Sequence, residues 1–197
     1  MTTSPIFKNI FGADWETMPI VFHKHYANCP YCNDKNTAHG IMNIEMAWFM
    51  KPFAPLFSLM GTLVAKTGQN IKTEVNFISQ ENSNVFVFDR RIYFSDEKPL
   101  IFYSMLQPIK GNEVIEWTKS GIGWHCSFTF ENGMVFLRHK SYRFKIFGKA
   151  IKIPLEIFMG EGFAFEKAIS DDEFEMMMEI RHKIFGKIYG YSGRFNV

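Results

Sequence analysis

The chain has 197 residues, of which 47% are hydrophobic and 17% aromatic, with 22 Phe and 12 Met. Aromatic content at that level excludes a disordered chain, and the length suits one domain able to fold without disulfide staples. With 22 basic residues against 20 acidic ones there is no electrostatic footprint for nucleic acid, and three cysteines are too few for a disulfide scaffold.

Met1 to Gly12 lacks the basic, apolar and small-residue blocks of a secretory signal, so the expected location is cytoplasmic, where thiols stay reduced. Residues 12–27, GADWETMPIVFHKHYA, are predicted as one helix capped by Asp14. Trp15, Met18, Phe22 and Tyr26 share a face, and Pro19 is the flaw. Residues 28–37 form a loop. Residues 38–47 read as a strand and 48–66 as one bent or two short helices. The apolar run Pro52 to Ala65 is too short to span a bilayer. It is expected to be a buried or lid helix, with a surface segment making transient membrane contact as the alternative.

From residue 71 the pattern becomes short β-branched and aromatic runs between turn residues. Strands are predicted at 71–79, 84–94, 99–107, 112–119, 122–131, 134–146, 158–169, 173–184 and 187–196. Turn signals include ENSN, SDEKP at 95–99, KGN and, strongest, Asn132-Gly133. The fold class is therefore mainly β: an antiparallel barrel of about ten strands with an N-terminal helix and a helical cap. Strand, helical pair and meander is the order of fatty-acid-binding (calycin-like) barrels. A steroid-transfer-like helix-grip α+β fold is the alternative. Residues 1–37 form the N-terminal helix and loop, and 38–197 the capped barrel, within a single domain.

Strand period 2 assigns interior faces. Phe174, Met176, Met178, Ile180 and His182 share one face, and Phe86, Phe88, Arg90, Ile92 and Phe94 another. Glu166 lies among Gly160, Gly162, Ala164 and Ala168, and Glu116 lies opposite Glu113, Ile115 and Trp117. A buried charge needs a partner. Arg90 and Glu166 thus form either an internal polar network or the anchor for a ligand's head. The first functional reading is binding of a small hydrophobic or amphipathic molecule, such as a lipid, fatty acid or isoprenoid. Phe86, Phe88, Phe94, Met176, Met178 and Ile180 would line the site, Arg90 would meet an anionic head, and Tyr142 and His182 would donate hydrogen bonds. The second is an enzyme using Glu166 with His139 or His182 as acid and base. The third is a structural or interaction module. His23, His25, Cys29 and Cys32 have short spacing that a zinc ion could use, but only one C-x-x-C is present, and no cofactor is expected.

Asp89-Arg90-Arg91, Phe102-Tyr-Ser104, His139-Lys-Ser-Tyr142, Phe147-Gly148, Met159-Gly-Glu161-Gly and His182-Lys-Ile-Phe185-Gly186 occur in order, ahead of Tyr189-Gly-Tyr191-Ser-Gly193. In these motifs, from Gly12 to Phe195, the chain resembles the bacterial family filed as domain of unknown function 4166. The resemblance implies one β-rich domain, found alone or appended to larger chains, and it supplies no reaction. The Cys29/Cys32 loop departs from the family's general pattern.

Overall fold

The computed structural model describes residues 4–95 and 98–197. Eleven strands run β1 (Lys35–Met46), β2 (Gly68–Gln80), β3 (Ser83–Tyr93), β4 (Leu100–Lys110), β5 (Glu113–Thr118), β6 (Ile122–Glu131), β7 (Met134–Ile146), β8 (Lys149–Ile153), β9 (Glu161–Ala168), β10 (Glu173–His182) and β11 (Gly186–Asn196). Their order is β6-β5-β4-β3-β2-β1-β11-β10-β9-β7-β8, every pairing described is antiparallel, and β6 also pairs with β7. That last pairing closes ten strands into a barrel and leaves β8 as a flap on the far half of β7. Closure removes the exposed edges of an open sheet. The barrel alternative holds, and the helix-grip alternative is set aside.

Asn132 and Gly133 both have positive φ, as a two-residue hairpin turn requires, and they set the β6–β7 register that closes the barrel. The SDEKP turn falls partly on residues 96 and 97, outside the described residues.

The N-terminal segment differs from the single predicted helix. It comprises α1 (Ile6–Phe11), a 3-10 turn (Gly12–Thr17) and α2 (Ile20–His25). Proline disfavours helical backbone in the residue before it, so Met18 is extended and α2 begins only after Pro19. Asp14 therefore caps no α-helix; its carbonyl accepts the Thr17 hydroxyl at 2.9 Å. The predicted face is nonetheless buried, with Trp15, Met18, Phe22 and Tyr26 all in the core. Phe7 packs edge-on against Phe86 and Phe128, while Phe22 meets Phe130 and Phe174. The segment plugs one end of the barrel with aromatic rings.

The other end carries the cap between β1 and β2, a 3-10 turn (Trp48–Phe53) followed by α3 (Ala54–Met60). Gly61, in the left-handed region, ends α3. The predicted strand at 158–169 starts late, because Pro154 and the turns around it form a short helix α4 (Glu156–Met159) first. β8 escaped the sequence reading as well, being a five-residue, solvent-exposed strand.

Candidate functional site

Between plug and cap the barrel interior has two levels. A cavity of about 310 Å³ lies beneath the cap. Leu56, Phe57 and Met60 of α3 roof it, Met178, Ile180 and Trp124 wall it, and Leu155 and Met159 close one side. Its lining holds few residues with polar groups: Glu116, Thr62, Thr118, Tyr142, Tyr189 and Tyr191. Below it is a space of about 70 Å³ bordered by Arg90, Glu166, His25, Phe88 and Met176. Tyr191 borders both levels.

The floor between them is built from β3, β4 and β5, whose register aligns Arg90 with Phe102, Phe88 with Ser104, and Ser104 with Thr118. The Arg90 guanidinium donates to Ser104 Oγ at 2.8 Å and to Glu116 Oε1 at 2.7 Å, and Ser104 Oγ donates to the same carboxylate oxygen at 2.6 Å. Phe88 and Phe102 flank the guanidinium, with ring centroids 4.7 and 5.2 Å from Cζ. Burial works against the Arg90 charge, but Glu116 together with Tyr191 and Tyr189 outweighs it, and the Arg90 pKa stays above its ordinary value. The guanidinium charge is thus neutralised inside the wall, and Glu116 is the member of the pair that reaches the large cavity. Burial pushes the Tyr191 hydroxyl up to about 12, with Arg90 pulling the other way, so it remains a neutral donor.

Glu166 has its own partners. Tyr26 of the plug donates to its Oε2, and His25 Nε2 stands 3.6 Å from Oε1. Burial foremost, then Glu166, raises the Tyr26 pKa well above the ordinary tyrosine value. His25 Nδ1 is buried with no hydrogen-bond partner among the described residues.

A third polar group sits at a seam in the wall. β7 pairs with β9 as far as Arg138 and with β8 from Tyr142 onward, and α4 sits at the end of β8, beside the gap. A register shift opposite His125 and Cys126 skips Lys140, so His139 and Tyr142 both follow the inward row. Trp124 Nε1–H donates to His139 Nδ1 at 3.1 Å, and His139 Nε2 faces Glu156 Oε1 at 3.3 Å. Because Nδ1 must accept, the proton of the neutral ring resides on Nε2, aimed at Glu156. Burial lowers the His139 pKa, with Glu156 opposing in part.

The residues singled out from sequence are therefore distributed. Tyr142, Met178 and Ile180 line the large cavity, whereas Arg90, Glu166, Phe88 and Met176 border the lower space. Phe86 belongs to the plug packing, and Phe94 lies beneath Lys66. His182 has both ring nitrogens engaged: Nδ1 accepts from the amides of Ile184 and Phe185, and Nε2 faces the Ile157 carbonyl. Glu166 borders neither His139 nor His182; the histidine beside it is His25. The Cys/His set is not brought together. His23 packs on Trp15 and His25 is inside the barrel, while the Cys32 thiol donates to the Cys29 carbonyl in the loop. Burial, then Asp34, raises the Cys29 pKa, the reverse of an activated thiolate. Among the described residues no group of three or more His, Cys, Asp or Glu is placed to hold a metal ion.

Sequence reasoning missed Glu116 and Tyr191 as site residues. Alternation puts Glu116 on the face opposite Ile115 and Trp117, and it is the Glu116 face that turns to the cavity, so apolarity does not mark the inner row of β5. The glycine-aromatic alternation of 186–193 was the available signal for Tyr189 and Tyr191.

Residues 19–195 match the family described as Domain of unknown function (DUF4166). The chain belongs to that family. No curated protein and no solved structure matches it. The DUF4166 match takes in α2, the cap and the barrel, including every residue that borders the two internal spaces. No helix among the described residues is long and apolar enough to cross a membrane.

Proposed function

We propose that the barrel binds a small amphipathic molecule of the lipid or isoprenoid kind, its chain beneath the cap and its head on the Glu116–Tyr191 floor. One observation carries this reading: a walled, mostly apolar cavity ends on a few convergent polar groups. The charge balance of the floor favours a neutral head with a hydroxyl or amide hydrogen. Such a head can donate to Glu116 and accept from Tyr191 or Tyr142. A carboxylate head would meet the Glu116 carboxylate before reaching Arg90, two of whose donors already serve Ser104 and Glu116. A fatty acid thus fits less well than the corresponding alcohol, and Arg90 acts on the head through Glu116.

Native mass spectrometry of protein purified without detergent, before and after denaturation, tests occupancy. A retained species of a few hundred daltons, released on unfolding, is expected. Titration with chain-matched alcohol, amide and carboxylate amphiphiles tests the head, with the alcohol or amide expected to bind about tenfold tighter than the carboxylate. Glu116→Gln keeps a hydrogen-bond acceptor for Arg90 but removes the carboxylate charge, and should abolish that preference. Absence of a retained species together with no saturable binding of any of the three would refute the reading. Tightest binding of the carboxylate would restore Arg90 as a direct anchor.

A further inference from the structure

Antiparallel closure sends alternate connections to opposite ends of the barrel, and the two sets differ in chemistry. The cap end holds the β1–β2, β3–β4, β5–β6 and β10–β11 connections and the β7-to-β9 excursion. Contacts tie them into one surface: Phe49 of the cap packs on Phe185, His182 meets the Ile157 carbonyl, and a Cβ on Gly61 would touch Lys119. Large apolar side chains stand out from it. Leu59 is 84% exposed and Trp48 80%, and Phe53, Phe158, Ile184 and Phe185 are also exposed. Exposed apolar groups gathered in this way mark an interaction surface.

Charge identifies the partner. The cap-end connections carry exposed Lys51, Lys66, Lys119, Lys149, Lys152 and Lys183, against a single described acid, Glu156, which is turned toward His139. Asp96 and Glu97 belong to this set by sequence and lie outside the described residues; with Lys98 beside them they reduce the excess without reversing it. The plug-end connections carry Asp14, Glu16, Asp34, Glu81, Asp171 and Asp172 against Lys8 and Lys24. The chain as a whole is almost neutral, so its charge is polarised along the barrel axis.

Phe147 gives an independent sign. It sits at the tip of the β7–β8 hairpin, beyond the β5–β6 turn, with its side chain fully exposed and its backbone at φ 47°. A bulky residue is disfavoured in that left-handed region, which Asn or Gly occupies readily. Neither folding nor solubility accounts for a phenylalanine there.

We infer that the cap end docks on an anionic lipid bilayer, with the exposed rings and leucines entering the interface and the lysines facing the headgroups. Docking stands on this surface alone. That the ligand then passes between bilayer and cavity rests on the binding reading above.

Flotation with phosphatidylcholine vesicles, and with the same vesicles containing phosphatidylglycerol, tests it. The full chain should float with the anionic vesicles, less with the neutral ones, and less again at high salt. Leu59→Asp with Phe158→Asp should abolish flotation. Phe147→Asn should weaken partitioning roughly tenfold while raising the melting temperature, because one apolar ring is lost and one strained residue relieved. All three side chains involved are exposed, and melting curves report that each variant is folded. Failure of the wild-type chain to float, or flotation unchanged in the double variant, overturns the inference. So does a concentration-dependent dimer that Leu59→Asp dissolves, which would assign the surface to a second copy. A double variant that still retains its ligand in native mass spectrometry shows that the cavity reading stands or falls separately.

Discussion

His139 can carry only one arrangement of protons while the seam stays closed. Its Nδ1 accepts from Trp124, and its Nε2 proton points at Glu156. A second proton would set an N–H against the indole N–H, so protonation opposes that hydrogen bond as well as burial. The folded-state pKa accordingly lies below the ordinary histidine value of 6.5. The sign of the stability effect follows: between the lowered folded value and 6.5 the unfolded chain binds more protons, so stability falls as pH drops below about 6.5. Glu156 is lowered too. Burial alone would raise it, but hydrogen bonds from backbone amides and His139 prevail, so its contribution is lost as pH falls from 4.5 through its folded value. Melting temperature measured across this range should show two descending steps. His139→Gln should remove the upper step and leave the lower one, with the upper step in the wild type accompanied by a change in Trp124 emission. An upper step that survives in His139→Gln would place the titration elsewhere.

Among the elements, the strands were the most legible part of the sequence. β6, β7 and β11 lie within a residue of their predicted bounds, because alternation and turn residues are local properties and barrel closure only has to accept them. Interior rows were legible for the same reason: Phe174, Met176, Met178 and Ile180 do face the core. The seam was not legible. A register shift moves His139 and Tyr142 into one row, which strict alternation would separate, and α4 is too short to show a helical period. Pairing partners such as Arg90 with Glu116 join strands 26 positions apart in sequence, a relation that composition and spacing do not encode. Gly162 is where the seam is most sensitive. A Cβ there would lie 2.9 Å from Trp124 Cε2, and this ring is held in place by His139. Gly162→Ala should lower stability by about 1–3 kcal/mol and displace the indole from His139, measured by chemical denaturation and tryptophan emission. Stability within a few tenths of wild type would show that the indole has room to move and that the seam is looser than its contacts indicate.

On the scale of the molecule, the two ends of the barrel do different work. The plug supplies some of the most deeply buried rings in the chain, Phe7 and Phe22 among them, and ties itself to the wall through Tyr26 and Glu166. The cap has no such anchorage. No residue of α3 is fully buried, and Met50 is the buried residue of the turn before it. A segment with few buried contacts opens locally at a smaller free energy than the strands it covers. Hydrogen exchange should therefore find the amides of 48–60 far less protected than those of β2 and β11, with α2 protected like the barrel. A ligand in the cavity touches Leu56, Phe57 and Met60 from below, so occupancy should slow exchange in the cap selectively and leave the plug unchanged. Equal protection of cap and barrel in the empty protein would mean that the roof is fixed, and entry would then have to occur at the seam between β7 and β9. Gly162→Ala separates these routes, because it perturbs the seam without touching α3.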